Sequence, residues 1–207
     1  AILELMTDSD PVVRRNAIAT ACKLKIEDSL PHILSFFDTP GEKNMVLKGL
    51  IQYGDALFKD LKNLPVAVVE KHISHLIKVA GKTKGPESTQ FLLGRLTDFS
   101  LNESIIHALW SKDCQNEIRS AGRQLEDLLN FYLKSGTEKI RDYDAVPLFT
   151  DCELIKSCLK SEIKNDLETS LKICSLLYQR KEINRVLELI MYNEKQKIFN
   201  AMEVLEM

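Results

Sequence analysis

Gly81-Lys82-Thr83, the pair His72 and His75, and Trp110 beside His107 and Asp113 are the places where this chain could do chemistry. The first spells the end of a phosphate-binding loop, in which backbone N–H groups cradle phosphate and a lysine reaches the outer phosphates. That loop needs a glycine five residues before its last one, where Leu76 stands, and a strand ahead of it. Both are missing, and the triplet reads as a flexible connector. His72 and His75 lie three apart on a predicted helix, a spacing that lets two rings share a metal ion. Beyond Glu70 and Cys22, which nothing in the pattern brings nearby, no acid or cysteine completes a ligand set, and no His-Glu pair occurs in the chain. His32 and His107 read as surface or satisfied residues, although Trp110 near His107 and Asp113 could line a pocket. Cys22, Cys114, Cys152, Cys158 and Cys174 form no C-x-x-C pair, so they read as reduced thiols on helix faces and not as a zinc site. No serine or cysteine carries a signature tying it to a base and an orienting acid. The sequence therefore predicts no catalytic residue, no metal ligand and no cofactor site.

What remains is surface. Lys78, Lys82 and Lys84, with Lys134, Lys139 and Arg141, are the candidates for a partner-facing or anion-facing surface. The overall balance is close to even, 28 basic against 30 acidic residues for a net charge of −2. That argues against a dedicated nucleic-acid binder, which carries a basic excess on one face. With 44% hydrophobic and 28% charged residues, the 207-residue chain has the composition of a folded globular protein. No run approaches the roughly 20 apolar residues that cross a bilayer. The most apolar stretch, Leu64 to Ala80, carries Glu70, Lys71, His72, His75 and Lys78 and reads as a buried or half-buried helix. No signal-peptide pattern is present.

The elements that must position these residues are helical throughout. In Asp8-Ser-Asp-Pro-Val-Val-Arg-Arg-Asn-Ala17, Pro11 suits a first helical turn and Asp8 or Asp10 can cap it. Val13, Ala17, Ile18 and Ala21 then give a narrow apolar face with small residues for close approach. Asn193 to Leu205 aligns with Ser9 to Ala21 at a constant offset, placing Asn200-Ala201 on Asn16-Ala17. This segment resembles the turn and second-helix start of a HEAT repeat. The resemblance implies an all-α solenoid (α-α superhelix) of about six helical pairs with truncated ends. Asp8 and Arg14 stand where such repeats link an acid and a base from one repeat to the next. Residues 1–207 are expected to form one solenoid domain, a fragment of a longer protein, with regular short repeats over 1–113 and longer helices over 114–207. Pairs are predicted at Ile2–Met6 with Pro11–Lys23, at Asp28–Phe37 with Glu42–Tyr53, and at Val66–Val79 with Pro86–Leu96. A helix over Asn102–Trp110 follows. Glu117 to Lys134 is one amphipathic helix ended by Ser135-Gly136, with a loop near 136–150. Leu154 to Tyr178 is one long helix or two with a break near Ser161, and Arg180 to Tyr192 is a further helix.

The C-terminal part carries a narrower resemblance. Glu162-Ile-Lys-Asn-Asp-Leu-Glu-Thr-Ser-Leu-Lys-Ile-Cys-Ser-Leu-Leu-Tyr178, Ile183-Asn-Arg-Val-Leu-Glu-Leu-Ile190 and Lys197-Ile-Phe-Asn-Ala-Met-Glu-Val-Leu-Glu206 form its basis. They are similar to the HEAT-repeat region that follows the membrane part of bacterial ATP/ADP translocase-like transporters, with Phe199 replacing a small residue. The resemblance implies a major-facilitator-like membrane domain upstream and a non-catalytic interaction or regulatory domain at the cytoplasmic face of the inner membrane. Its partners would be its own membrane domain, a downstream domain or another protein, with no nucleic acid, no cofactor and no membrane contact of its own. The alternatives are a free-standing cytosolic HEAT scaffold and, more remotely, a helical-repeat enzyme acting on nucleic acid.

Overall fold

The computed structural model describes residues 2–112, 115–147, 152–178 and 180–191, and among them every regular element is helical, with no strand. The chain divides into two compact units, Ala1–Cys114 and Gln115–Met207. The change of helix pattern read at 113/114 lies beside that division.

The described residues of unit 1 form nine short α-helices. They are α1 (Ile2–Met6), α2 (Pro11–Leu24), α3 (Leu30–Ser35), α4 (Lys43–Tyr53), α5 (Ala56–Asp60), α6 (Val66–Lys71), α7 (Ile73–Lys82), α8 (Pro86–Leu93) and α9 (Asn102–Trp110). Single 3₁₀ turns lie at Glu27–Ser29, Phe36–Asp38 and Leu61–Asn63. The start of α2 is fixed as its residues dictate. Asp10 accepts a hydrogen bond from the Val12 N–H at 2.8 Å, Pro11 fills the first turn, and Lys25 ends the helix in the left-handed region at φ 54°. Ala17, Ile18, Ala21 and Cys22 are buried on the face toward α4. Four helices then lie side by side in chain order, α2 on α4, α4 on α7 and α7 on α9, while α1 packs on α2 and α5 on α8.

Helices of five to fourteen residues are not stable alone in water. Their stability comes from burial, and Met6, Ile18, Leu34, Leu50, Tyr53, Phe58 and Leu76 are all fully enclosed. Each such side chain contributes about 1.5–3 kcal/mol relative to exposure. Two expectations change here. The helix over 66–79 is divided at His72, whose backbone (φ −113°, ψ 15°) leaves the helical region. Residues 56–63, left unassigned in the sequence, form α5 and a 3₁₀ turn. The predicted neighbours remain together, α7 packing on α8, while α7 also joins the row with α4 and α9 and α8 also stands on α5.

Unit 2 is built differently. After the single turn α10 (Gln115–Ile118) come two long helices, α11 (Gly122–Ala145) and α12 (Glu153–Leu177), packed along their lengths, and α13 (Arg180–Met191) packs on α12. The α11 stripe runs Leu125, Leu128, Tyr132, then Ser135, Gly136, Lys139 and Tyr143, at spacings that keep one face toward α12. The predicted loop near 136–150 is corrected, because the helix continues through Ser135-Gly136 to Ala145. Glycine inside a helix costs only about 0.5–1 kcal/mol, which a long packed interface outweighs. Gly136 also lies where α12 comes close, a Cβ there meeting Asp166 Cβ at 3.7 Å. Residues Glu153–Leu177 form one helix with no break at Ser161. The Asn193 turn and the final helix predicted after it lie outside the described residues.

Candidate functional site

The residues singled out for chemistry take structural places. Gly81 and Lys82 are the last residues of α7, and the Thr83 hydroxyl donates to the Val79 carbonyl at 2.9 Å. A helix end stands where a connector was expected, and the connection shrinks to three residues. His72 and His75 face the Phe37 ring at centroid distances of 5.6 and 4.4 Å. Burial holds both imidazoles below their ordinary pKa, with Lys71 adding for His72 and Lys43 and Lys78 for His75, against Asp38. The buried His75 Nδ1 has no hydrogen-bond partner among the described residues. No three His, Cys, Asp or Glu side chains among the described residues come together as a metal site. Burial pushes the Cys22 thiol up to about 12, far from a reactive thiolate. The His107 and Trp110 rings lie 6.0 Å apart, and Asp113 is outside the described residues.

Asp8 and Arg14 stay within one turn. Arg14 Nη1 donates to the backbone carbonyls of Asp8 at 2.8 Å and Ser9 at 3.0 Å, and the Asp8 carboxylate accepts from the Asp10 N–H. The link to the next pair is made one residue on, by Arg15 to the buried carboxylate of Glu42 at 3.3 Å. The six candidate surface cations divide between the units. Lys78, Lys82 and Lys84 are exposed in unit 1, and Lys134 and Arg141 are exposed in unit 2. Lys139 is instead an internal cation of the hairpin, 2.8 Å from Asp166 and 3.4 Å from Glu162. Burial opposes its charge, yet the bonds to these two acids prevail and raise its pKa.

Polar cross-links between residues far apart in the chain run through unit 1. Asp55 accepts from the N–H groups of Glu87 (3.1 Å) and Ser88 (2.8 Å), capping α8 from 32 and 33 residues upstream. Gly85, at φ +138°, lies so close to that carboxylate that a Cβ would collide with it. Lys112, only 7% exposed, donates to the carbonyls of Ala80 (3.0 Å) and Thr83 (2.6 Å) and to Ser88 Oγ (2.6 Å). It thus serves the orphan carbonyls at the end of α7. Asn63 to Glu27 and Lys71 to Asp38 continue the pattern on the surface.

A groove of about 380 Å³ opens between the Leu61–Asn63 turn with α6 on one side and α8 on the other. Its floor is Phe58, Leu61 and Val69, all buried, with the Phe58 and Phe91 rings 5.0 Å apart. The Arg95 guanidinium lies 4.8 Å above the Phe91 centroid. Two ion pairs bridge the walls, Lys62 to Glu87 and Arg95 to Glu70, each at 2.8 Å. Val66 stands on the rim, 74% exposed. Each pair has one exposed and one half-buried member, and pairs this open to water contribute about 0–1 kcal/mol each, so they frame the opening more than they hold it together. The lining holds no thiol, hydroxyl or imidazole, and its volume falls in the range of roughly 300–1,000 Å³ that takes small bodies or anchoring side chains. The signal for this site was present in the sequence as two opposite-charge pairs at one offset, Lys62 with Glu87 and Glu70 with Arg95, twenty-five apart in each case.

Among the described residues no helix is long and apolar enough to cross a membrane. Comparison of the chain with protein-family models, with curated proteins and with solved structures gave no match.

Proposed function

We propose that the chain is a non-catalytic interaction module whose first unit is an α-solenoid of the HEAT kind, working through the groove between α6 and α8. The groove carries this reading: an apolar floor framed by charged side chains is the make-up of a contact hot spot. The row α2, α4, α7, α9 supports the solenoid, since stacked pairs leave neighbouring helices of one layer in contact. The resemblance in residues 162–206 adds a parent, an ATP/ADP translocase-like membrane protein with this module at its cytoplasmic face. The partner is then the parent's own membrane domain, a domain downstream, or a separate protein.

Placing a photo-cross-linking residue at position 66 tests the interaction reading. Adducts in cells to a defined protein, lost when Phe91 is changed to Ala beneath the probe, support it. Absence of any adduct sinks it. The parent is tested in the coding sequence upstream: ten or more stretches of about 20 apolar residues support a transporter. A soluble upstream sequence leaves a free-standing scaffold.

A further inference from the structure

We infer that the groove is a two-fold interface between two copies of this chain. This rests on the interaction reading above and names the partner. The two walls carry one pattern with the charges reversed: Lys62, Val66 and Glu70 on one, Glu87, Phe91 and Arg95 on the other, each at four-residue intervals. The ion pairs fix which ends lie together, Lys62 with Glu87 and Glu70 with Arg95. Each end of the groove thus holds one cation and one anion, and the two walls have opposite order.

A second copy turned by 180° about an axis along the groove exchanges the walls. Its Glu87 then faces Lys62 and its Arg95 faces Glu70, while its own Lys62 and Glu70 face Glu87 and Arg95. Four opposite-sign meetings result and no like-sign one. The same rotation carries its Val66 over Phe91 and brings this chain's Val66 over the Phe91 of the second copy. That places the exposed apolar side chain of the rim into the opening with the apolar floor. A foreign surface would need this alternation built into it, whereas a second copy supplies it by symmetry. Self-complementarity is the defining property of a two-fold interface. An apolar centre within a charged rim also matches the usual anatomy of protein contacts. Lys62 and Glu70 are exposed and Glu87 and Arg95 half-buried, so the attraction across the rim is partly screened by salt, and Val66 supplies the salt-insensitive part.

Sedimentation velocity of the full chain across the micromolar range is the test. A concentration-dependent shift from monomer to dimer is expected, weaker at high salt. Val66→Asp should remain monomeric at every concentration with an unchanged circular-dichroism spectrum, its site being exposed. A variant with all four charges reversed (Lys62→Glu, Glu70→Lys, Glu87→Lys, Arg95→Glu) keeps the internal bridges and the self-match. It should pair with itself and refuse the wild-type chain in a mixing experiment. A wild-type chain that stays monomeric overturns the inference, as does a Val66→Asp chain that dimerises normally or a reversed chain that pairs with wild type equally well. If the fourfold variant does not fold, Val66→Asp still decides. A monomer that cross-links to a foreign protein from position 66 overturns only the self-association. A monomer with no adduct overturns the interaction reading as well.

Discussion

In unit 1 the buried polar links sit at helix ends, and in unit 2 they sit mid-helix. Asp55 caps α8, Lys112 receives the end of α7, and Glu42 meets Arg15 at the start of α4. In the hairpin, by contrast, Asp166 lies in the middle of α12 and accepts from Ser135 Oγ at 2.9 Å and Lys139 Nζ at 2.8 Å, both from the middle of α11. Helix length explains the difference. Every helix leaves four N–H and four C=O groups without internal partners, so a five-residue helix such as α5 is nearly all ends. A chain of such helices has to answer those groups from its neighbours. Helices of 24 and 25 residues have few ends for their length, but a long stripe can slide. One buried acceptor shared by two donors pins the register.

The sharpest way to break this contrast is Lys112→Met. It takes away a donor shared by two carbonyls and a buried hydroxyl, leaving the Ala80 and Thr83 carbonyls only longer bonds from Thr83 N–H and Ser88 Oγ at 3.3 Å, and a loss of about 2–4 kcal/mol is expected from unit 1 in a urea titration. A loss below about 1 kcal/mol would mean that the end of α7 needs no partner. Gly85→Ala comes next, at about 2–3 kcal/mol, because the added Cβ is strained at positive φ and displaces the cap of α8. Asp166→Ala should cost unit 2 about 1–3 kcal/mol, and adding Lys139→Met should return most of it, since the pair is then gone from both sides. No return would show that Lys139 finds Glu162 sufficient.

A smaller effect separates the units by pH. All four histidines lie in unit 1, and His72 and His75 are held below the ordinary value of 6.5. The unfolded chain therefore binds more protons as pH falls through that value, so unit 1 loses stability below it and keeps it above. Denaturation midpoints from pH 8 to 5 should show this slope, flattened in His75→Phe. The smallest change has the opposite sign. Gly136→Ala meets only an ordinary contact and should stabilise unit 2 by about 0.5–1 kcal/mol, raising its melting temperature.

The all-helical class was legible because apolar residues recur at three and four, and Asp10-Pro11 marks the start of α2 as a cap and first turn should. Boundaries governed by long-range contacts were not. Ser135-Gly136 reads locally as a stop, and only packing against α12 carries the helix through. His72 divides a periodic stretch that looks continuous, because backbone angles leave no trace in hydrophobic spacing. Asp8 and Arg14 had the right types for a ladder, yet the neighbouring Arg15 makes the link to Glu42. The charged residues of the groove were individually unremarkable in the sequence. Their meaning lies in opposition across a gap, which a linear reading sees only as a constant offset.

The Asp55 cap gives the helix starts of unit 1 a direction. The start of α8 is completed by a carboxylate that belongs to the segment before it, and the buried Glu42 at the head of α4 is likewise met by Arg15 from the segment before. Helix starts are thus completed from the earlier segment, as a course of bricks is set on the course below, while the end of α7 is closed from above by Lys112. Trimming unit 1 from its N-terminal side strips the footing from helix starts, and trimming from its C-terminal side, where Lys112 stands, opens a helix end.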